Sequence, residues 1–262
     1  MFKDKKIKDF DWEKEFNRNY SVESFQEVRY YWWKDCYNQI GKFVLQNIPL
    51  NNNSEILECG CGSGNSSLRL ASLVKKITLL DSSDNALKCA KKLADYYRVK
   101  NAEFIKGDVF HMFFENNRFD FCWNIGLIEH YNFEQAKEIV KEMLRVTKST
   151  GWMLLGVPNF KSLAIIKAKL LSHGLLRPLT FWIKGYRLGE EKKYNLDSLK
   201  RLIRIASEES GIKIEQTSFD YIGSVLPVET PAFIFKKIDK FFSRFFSRFS
   251  FLILVAVKIN KP

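Results

Sequence analysis

Apolar residues along this chain recur with two periods, and the switches between the two mark out its elements. From Ser21 to Gln46, the residues Phe25, Val28, Tyr31, Trp32, Tyr37, Ile40 and Val44 fall near every 3.6 positions, which predicts an amphipathic helix. Asn47 to Asn53 (NIPLNNN) ends it with proline and asparagine turn chemistry. Short, nearly continuous apolar runs then appear at Ser54–Cys59, Lys76–Leu80, Ala102–Ile105, Phe119–Trp123 and Trp152–Val157. They alternate with helical stretches at Asn65–Val74, Asp84–Arg98 and Phe133–Thr147. Runs that short and that apolar fit strands covered on both faces, and their exchange with helices predicts an α/β fold around a parallel, doubly wound sheet.

The rhythm breaks after Pro158. Phe160 to Gly189 is apolar and basic and fits neither a strand nor one clean helix, which reads as a cap inserted over the strand ends after the fifth strand. A helix follows over Leu196–Ser210, started by Asn195 or Asp197 and stopped by Gly211. Ile212–Phe219 alternates like a strand, Pro231–Phe246 reads as a helix with proline in its first turn, and Phe249–Ile259 is a last strand. No domain-sized repeat or low-complexity linker divides the chain, so it is read as one domain. Its parts are an N-terminal helical segment (1–53), a core (54–159), the inserted cap (160–194) and the C-terminal part of the sheet (195–262).

The sharpest local feature is Glu58-Cys59-Gly60-Cys61-Gly62-Ser63-Gly64, where a strand ends in a carboxylate and three glycines alternate before a helix. Alternating glycines let the backbone turn tightly and let a ligand lie where a Cβ would collide. Packing alone can also require glycine, but the position between strand and helix favours a ligand loop. Asp81 closes the second strand, where an acid can accept both hydroxyls of a ribose. Asp108 follows the third, where it could receive the exocyclic amine of a purine. Each acid alone reads as a helix cap or a surface group. Acids at three consecutive parallel strand ends converge on one sheet edge, where doubly wound folds bind ligands.

These residues resemble a family. ECGCGSG is similar to the acidic-x-Gly-x-Gly-x-Gly signature of class I S-adenosylmethionine-dependent methyltransferases. Asp81, the Gly107-Asp108 pair and Phe119–Gly126 fall where that family places its later motifs. Gly126-Leu127-Ile128-Glu129-His130 looks like a stretch common in its small-molecule branch. The likeness runs from Glu55 to Asn159 and takes in the terminal strand. It implies S-adenosylmethionine as cofactor and a Rossmann-like sheet of seven strands, the last antiparallel between the fifth and sixth. It further implies Glu58 as counter-charge to the cofactor's cations, with Gly60, Gly62 and Gly64 admitting its methionine and ribose. Asp81 would bind the ribose hydroxyls with Ser82 beside the adenine, Asp108 would face the adenine amine with Val109 giving a backbone amide, and Asn124 would lend its carbonyl to the ammonium. A nicotinamide dehydrogenase is the rival, but its G-x-G-x-x-G spacing is not met, because the third glycine comes one residue early.

Composition narrows the classes. At 262 residues with 46% hydrophobic and 27% charged side chains, the chain has material for a sizeable core. Its longest apolar run, Phe251 to Val257, is far short of the ~20 residues of a spanning helix, and the basic N-terminus leads into no signal-like apolar stretch. Five cysteines without framework spacing read as reduced thiols, which points to a cytoplasmic protein. The net charge of +12 is lopsided: residues 1–160 carry 23 basic and 21 acidic side chains, and the remaining 102 carry 19 and 9. That skew describes what the last part meets.

His130 is the group of greatest chemical interest, since an imidazole at the sheet edge could take a proton from a hydroxyl acceptor; packing or orienting substrate is the alternative. Glu129 reads as holding its loop, and Cys59 and Cys61 as packing, because a zinc site needs four ligands and no second pair exists. No metal is expected. The N-terminal aromatics (Trp12, Phe16, Tyr20, Tyr30, Tyr31, Trp32, Trp33) could fold over the cofactor, although packing accounts for most of them, and Arg29 could reach the cofactor carboxylate. KKIDKFFSRFFSRFSF sets Phe241, Phe245 and Phe249 in one helical stripe. The reading preferred here packs that stripe on the sheet, with peripheral contact to a membrane as the alternative. The basic excess comes without a nucleic-acid-binding module, and the fourth strand lacks the stretch of base-modifying amino-methylases. Apolar walls with cations and no acid in 160–189 favour a small or lipid-like acceptor, with protein or RNA as the alternative acceptors and a non-catalytic binding module on the methyltransferase fold as the further rival.

Overall fold

In the computed structural model, which describes residues 30–172, 191–228 and 230–261, the strands are β1 (Glu55–Cys59), β2 (Lys76–Asp81), β3 (Ala102–Lys106), β4 (Phe119–Ile125), β5 (Thr147–Pro158), β6 (Lys213–Ile222) and β7 (Leu252–Asn260). They form one sheet in the order β3-β2-β1-β4-β5-β7-β6. The first five pair in parallel, and β7 lies antiparallel between β5 and β6, as the resemblance implied. Chain order reverses direction between β1 and β4, so the carboxyl ends of these two strands flank the switch point where open α/β sheets form a crevice.

Helices cover both faces. They are α1 (Tyr30–Asn47), α2 (Asn65–Leu68), α3 (Asp84–Tyr96), α4 (Phe133–Val146), α5 (Leu163–Ser172), α6 (Leu196–Glu209) and α7 (Ala232–Phe246). Because side chains alternate across a strand, each strand feeds two cores. Ile56, Phe121, Trp123 and Leu254 pack with Trp32 and Val44 of α1 and Leu93 of α3. Leu57, Cys122 and Val255 pack with Ile139 and Met143 of α4 and Leu199 of α6. Local chemistry agrees with this layout. The Ser83 hydroxyl caps α3, Asn132 and Asn195 form capping boxes for α4 and α6, and Gly211 ends α6 at a φ of 67°.

Four expectations change. The helix read over 65–74 is one four-residue turn, α2, followed by a separate 3-10 turn at Ala71–Leu73, since this stretch has no sustained apolar period. β5 starts at Thr147 rather than Trp152, because the polar residues 147–151 extend it beside an irregularity in β4. β7 starts at Leu252, after a 3-10 turn at Ser247–Phe249. The Phe241, Phe245 and Phe249 stripe does not pack on the sheet: all three rings are exposed, and α7 turns Phe235 and Ile238 inward instead. Of the stretch read as an inserted cap, α5 is described and buries Ala164, Ile165 and Ala168, while residues 173 to 190 lie outside the described residues. Trp12, Phe16, Tyr20 and Arg29 also lie outside them; Trp32 is fully buried and donates its indole N–H to the Leu226 carbonyl at 3.0 Å. Among the described residues no helix is long and apolar enough to cross a membrane.

Candidate functional site

β1 delivers Glu58 to the carboxyl edge of the sheet, and the following loop turns back beneath it. Gly60, Gly62 and Gly64 have φ of 62°, 54° and 65°, the left-handed region in which glycine alone carries no steric cost. The loop is tied to β2 by two backbone donors: Cys61 N–H to the Leu80 carbonyl at 3.0 Å and Gly62 N–H to Asp81 Oδ2 at 2.9 Å. A Cβ at Gly60 would lie 2.8 Å from Leu127, and one at Gly64 2.7 Å from Leu79. Those two glycines therefore serve packing as well as the turn.

The acids of this edge stand in different environments. Glu58 is buried and hydrogen-bonded to Ser67, whose hydroxyl also accepts the Trp123 indole N–H at 3.0 Å. Burial pushes the Glu58 carboxyl up to about 7, and the nearby charge of Asp81 adds to the effect. Its Oε2 is buried without a hydrogen-bond partner. Asp81 is also buried; besides Gly62 it accepts from the Ser83 backbone N–H at 2.9 Å, so its carboxylate holds the glycine loop against the next helix start. Ser82 is exposed beside it. Gly107 N–H bonds the Asp81 carbonyl at 3.0 Å, which brings Gly107-Asp108 alongside. The Asp108 carboxylate is exposed, accepts the Phe110 N–H at 2.9 Å and lies 3.4 Å from His111; Val109 is buried next to it. Asn124 is fully buried and donates to the Met143 sulfur at 3.2 Å, while its Oδ1 has no partner.

A second group lies just past β4. Gly126, at a φ of 81°, leads into a 3-10 turn over Ile128–His130. The Glu129 carbonyl accepts the Lys192 N–H at 2.6 Å, so the segment before α6 lies across this turn. The Glu129 side chain is buried with Oε2 unpartnered, and burial raises it to about 8, so it is protonated at neutral pH. Burial raises the adjacent Tyr194 hydroxyl to about 12, and the charge of Glu129 adds to it. Burial also lowers the His130 imidazole to about 4, leaving it neutral. Sequence reasoning missed Ser67, Tyr194 and the burial of Glu129: no spacing marks a serine that braces an acid nine residues before it.

Cys59 and Cys61 pack into the two different cores, on opposite faces of the sheet, and no group of three or more ligating side chains forms a metal site among the described residues. All five cysteines are buried and unbridged.

Comparison with known proteins bears on the same stretch. Residues 56–151 match the methyltransferase-domain family. Demethylmenaquinone methyltransferase of Bacillus cereus is 30% identical over 135 residues, which are 50% of this chain and 52% of that protein. The chain thus spans about half the length of the curated relatives it matches. An S-adenosylmethionine-dependent methyltransferase from Thermotoga maritima superposes with a TM-score of 0.62 at 15% identity, covering 94% of this chain and 97% of that one. One from Aquifex aeolicus gives 0.55 at 14% identity, covering 95% and 98%. Likenesses at such identity speak to the fold, and the sequence match falls on the strands and turns that carry Glu58, the glycine loop, Asp81 and Asn124. Residues 56–151 thus match a methyltransferase domain, and the seven-stranded, Rossmann-like sheet built around them is the fold of the methyltransferase structures on which it superposes.

Proposed function

We propose that this chain transfers a methyl group from S-adenosylmethionine to a small or lipid-like acceptor. The observation that carries the reading is a buried, unpartnered acid atom beside a left-handed glycine loop: Glu58 Oε2 next to Gly60–Gly64. A buried polar atom left without a partner costs about 1–3 kcal/mol, so a site that keeps one is complementary to something that supplies the partner. The cofactor's cations and ribose match this donor set. When bound, it supplies a methyl group on a sulfonium, which transfers by in-line displacement.

The chain's own residues have separable tasks. Ionised Glu58, braced by Ser67, gives a counter-charge without nucleophilic reactivity. Asp81 orders the loop through Gly62 N–H and would accept the ribose hydroxyls, with Ser82 beside the adenine. Asp108 and the Val109 amide would hold the adenine edge. The Asn124 side chain is turned toward α4, so its main-chain carbonyl is the group that would meet the ammonium. Closure of the edge by residues 191–194 keeps water away from a charged donor. Neutral His130 accepts the proton of a hydroxyl acceptor or orients it, and neutral Glu129 donates a hydrogen bond to it.

Two observations support the acceptor class: the apolar, cationic stretch after β5, of which α5 leaves Leu163 and Ile166 exposed, and a relative whose name gives it a quinone-type substrate. A labelled-methyl transfer assay on lysate fractions separates the cases. Label in small-molecule or lipid fractions supports the proposal, whereas label confined to protein or RNA keeps methyl transfer and overturns the acceptor class.

A further inference from the structure

Helix α7 buries one aromatic face and exposes another. Inward, Phe235 packs edge-on to Tyr31 with ring centroids 5.1 Å apart, and Asp239 is buried and accepts the Ser224 hydroxyl. Outward, at four-residue spacing, stand Phe233 (67% exposed), Lys237, Phe241 (61%) and Phe245 (64%), followed by Phe246 (46%) and Phe249 (42%). Five exposed phenylalanines within 17 residues form a concentration that other elements of the described chain do not approach. The same segment holds five basic residues, Lys236, Lys237, Lys240, Arg244 and Arg248, and its one acid, Asp239, is turned inward.

Rings interleaved with cations, without an exposed acid, match the composition of a helix that lies in a membrane interface. A second copy of the chain fits poorly, because a two-fold contact would set this cationic face against itself. The place in the fold agrees. Arg248 and Ser250 accept hydrogen bonds from the Asn159 amide at 2.9 and 2.8 Å, and Leu252 pairs with Pro158 at the carboxyl end of β5. The exposed turn therefore sits at the sheet edge that carries the glycine loop.

We propose that α7 and the turn after it dock on an anionic membrane surface, rings at the headgroup boundary and cations on lipid phosphates. Docking rests on exposure and charge and stands apart from the methyl-transfer reading; if both hold, it presents the site edge to lipid.

Vesicle co-sedimentation of the full chain tests it, with phosphatidylcholine alone and with phosphatidylcholine mixed with phosphatidylglycerol. The expected result is retention on the mixed vesicles only, weakened by salt. Each basic residue at such a surface contributes about fivefold in partitioning, so Lys237→Gln with Arg248→Gln reduces retention about twenty-five-fold. Phe241→Ser with Phe245→Ser reduces it at least about tenfold, while both variants keep the wild-type unfolding midpoint. No retention of the wild type, equal retention on both vesicles, or retention unchanged in both variants overturns the proposal. So does a wild-type dimer in sedimentation velocity that Phe241→Ser with Phe245→Ser makes monomeric, because a second copy then covers the face.

Discussion

Two regions of this molecule break the usual rule of burial in opposite senses. Around the glycine loop, polar atoms are buried without partners: Glu58 Oε2, Asn124 Oδ1 and Glu129 Oε2. Around α7, apolar rings are exposed without cover. The first region has nearly balanced charge and the second a basic excess. Each is unfavourable as it stands, and each proposal supplies a complement of matching chemistry: a compact cationic cofactor with a ribose in one case, an extended anionic apolar surface in the other. An unpaired polar atom in the interior specifies a ligand atom by atom, while an exposed ring stripe specifies only a class of surface.

The largest effect should come from Asp81→Ala. It removes acceptors for two backbone donors and for the ribose, and charge-assisted bonds of about 1.5–3 kcal/mol each predict at least about a hundredfold weaker cofactor binding. Retention on anionic vesicles should be unchanged in the same protein, and joint loss of both would mean the two regions are not separate sites. Next, His130→Ala should lower turnover by about a hundredfold if the acceptor is a hydroxyl. Because burial holds its imidazole at about 4, wild-type activity should show no histidine step near 6.5; full turnover in the variant removes the base assignment, and a step near 6.5 contradicts the buried, depressed imidazole.

Glu58 gives a smaller effect with a definite sign. Burial holds its carboxyl at about 7, and a cationic cofactor binds the ionised form. Affinity should therefore rise as pH increases through about 7, and Glu58→Gln should flatten that dependence with about tenfold weaker binding. A titration that weakens with rising pH would contradict the counter-charge role. The smallest effect is on stability: Phe241→Ser with Phe245→Ser should change unfolding free energy by no more than about 0.5 kcal/mol, whereas Phe235→Ala, which empties a buried site on the same helix, should cost about 3 kcal/mol. Equal costs in thermal or denaturant unfolding would show that the outward face is packed after all.

The sequence was legible where one local rule decides. β1, β2 and β4 are short apolar runs ended by turn chemistry, and both the glycine loop and Asp81 lie where strand and helix periods meet. It was ambiguous where two faces of one element obey the same period. On α7, Phe233, Phe241 and Phe245 form one stripe, Phe235, Ile238 and Phe242 another, and periodicity cannot tell which is buried. The brace from Ser67 to Glu58 was hidden because it depends on how α2 is cut to a single turn. The protonation of Glu129 was hidden because it depends on residues 191–194, distant in the chain, lying across its turn.

The central claim is that the edge built by Glu58, Gly60–Gly64 and Asp81 binds a sulfonium cofactor. Calorimetric titration of the full chain with S-adenosylmethionine, and separately with a nicotinamide dinucleotide, tests it most directly. Saturable heat with the first, none with the second, and loss of the first in Asp81→Ala is the predicted result. Dinucleotide binding without S-adenosylmethionine binding would contradict it.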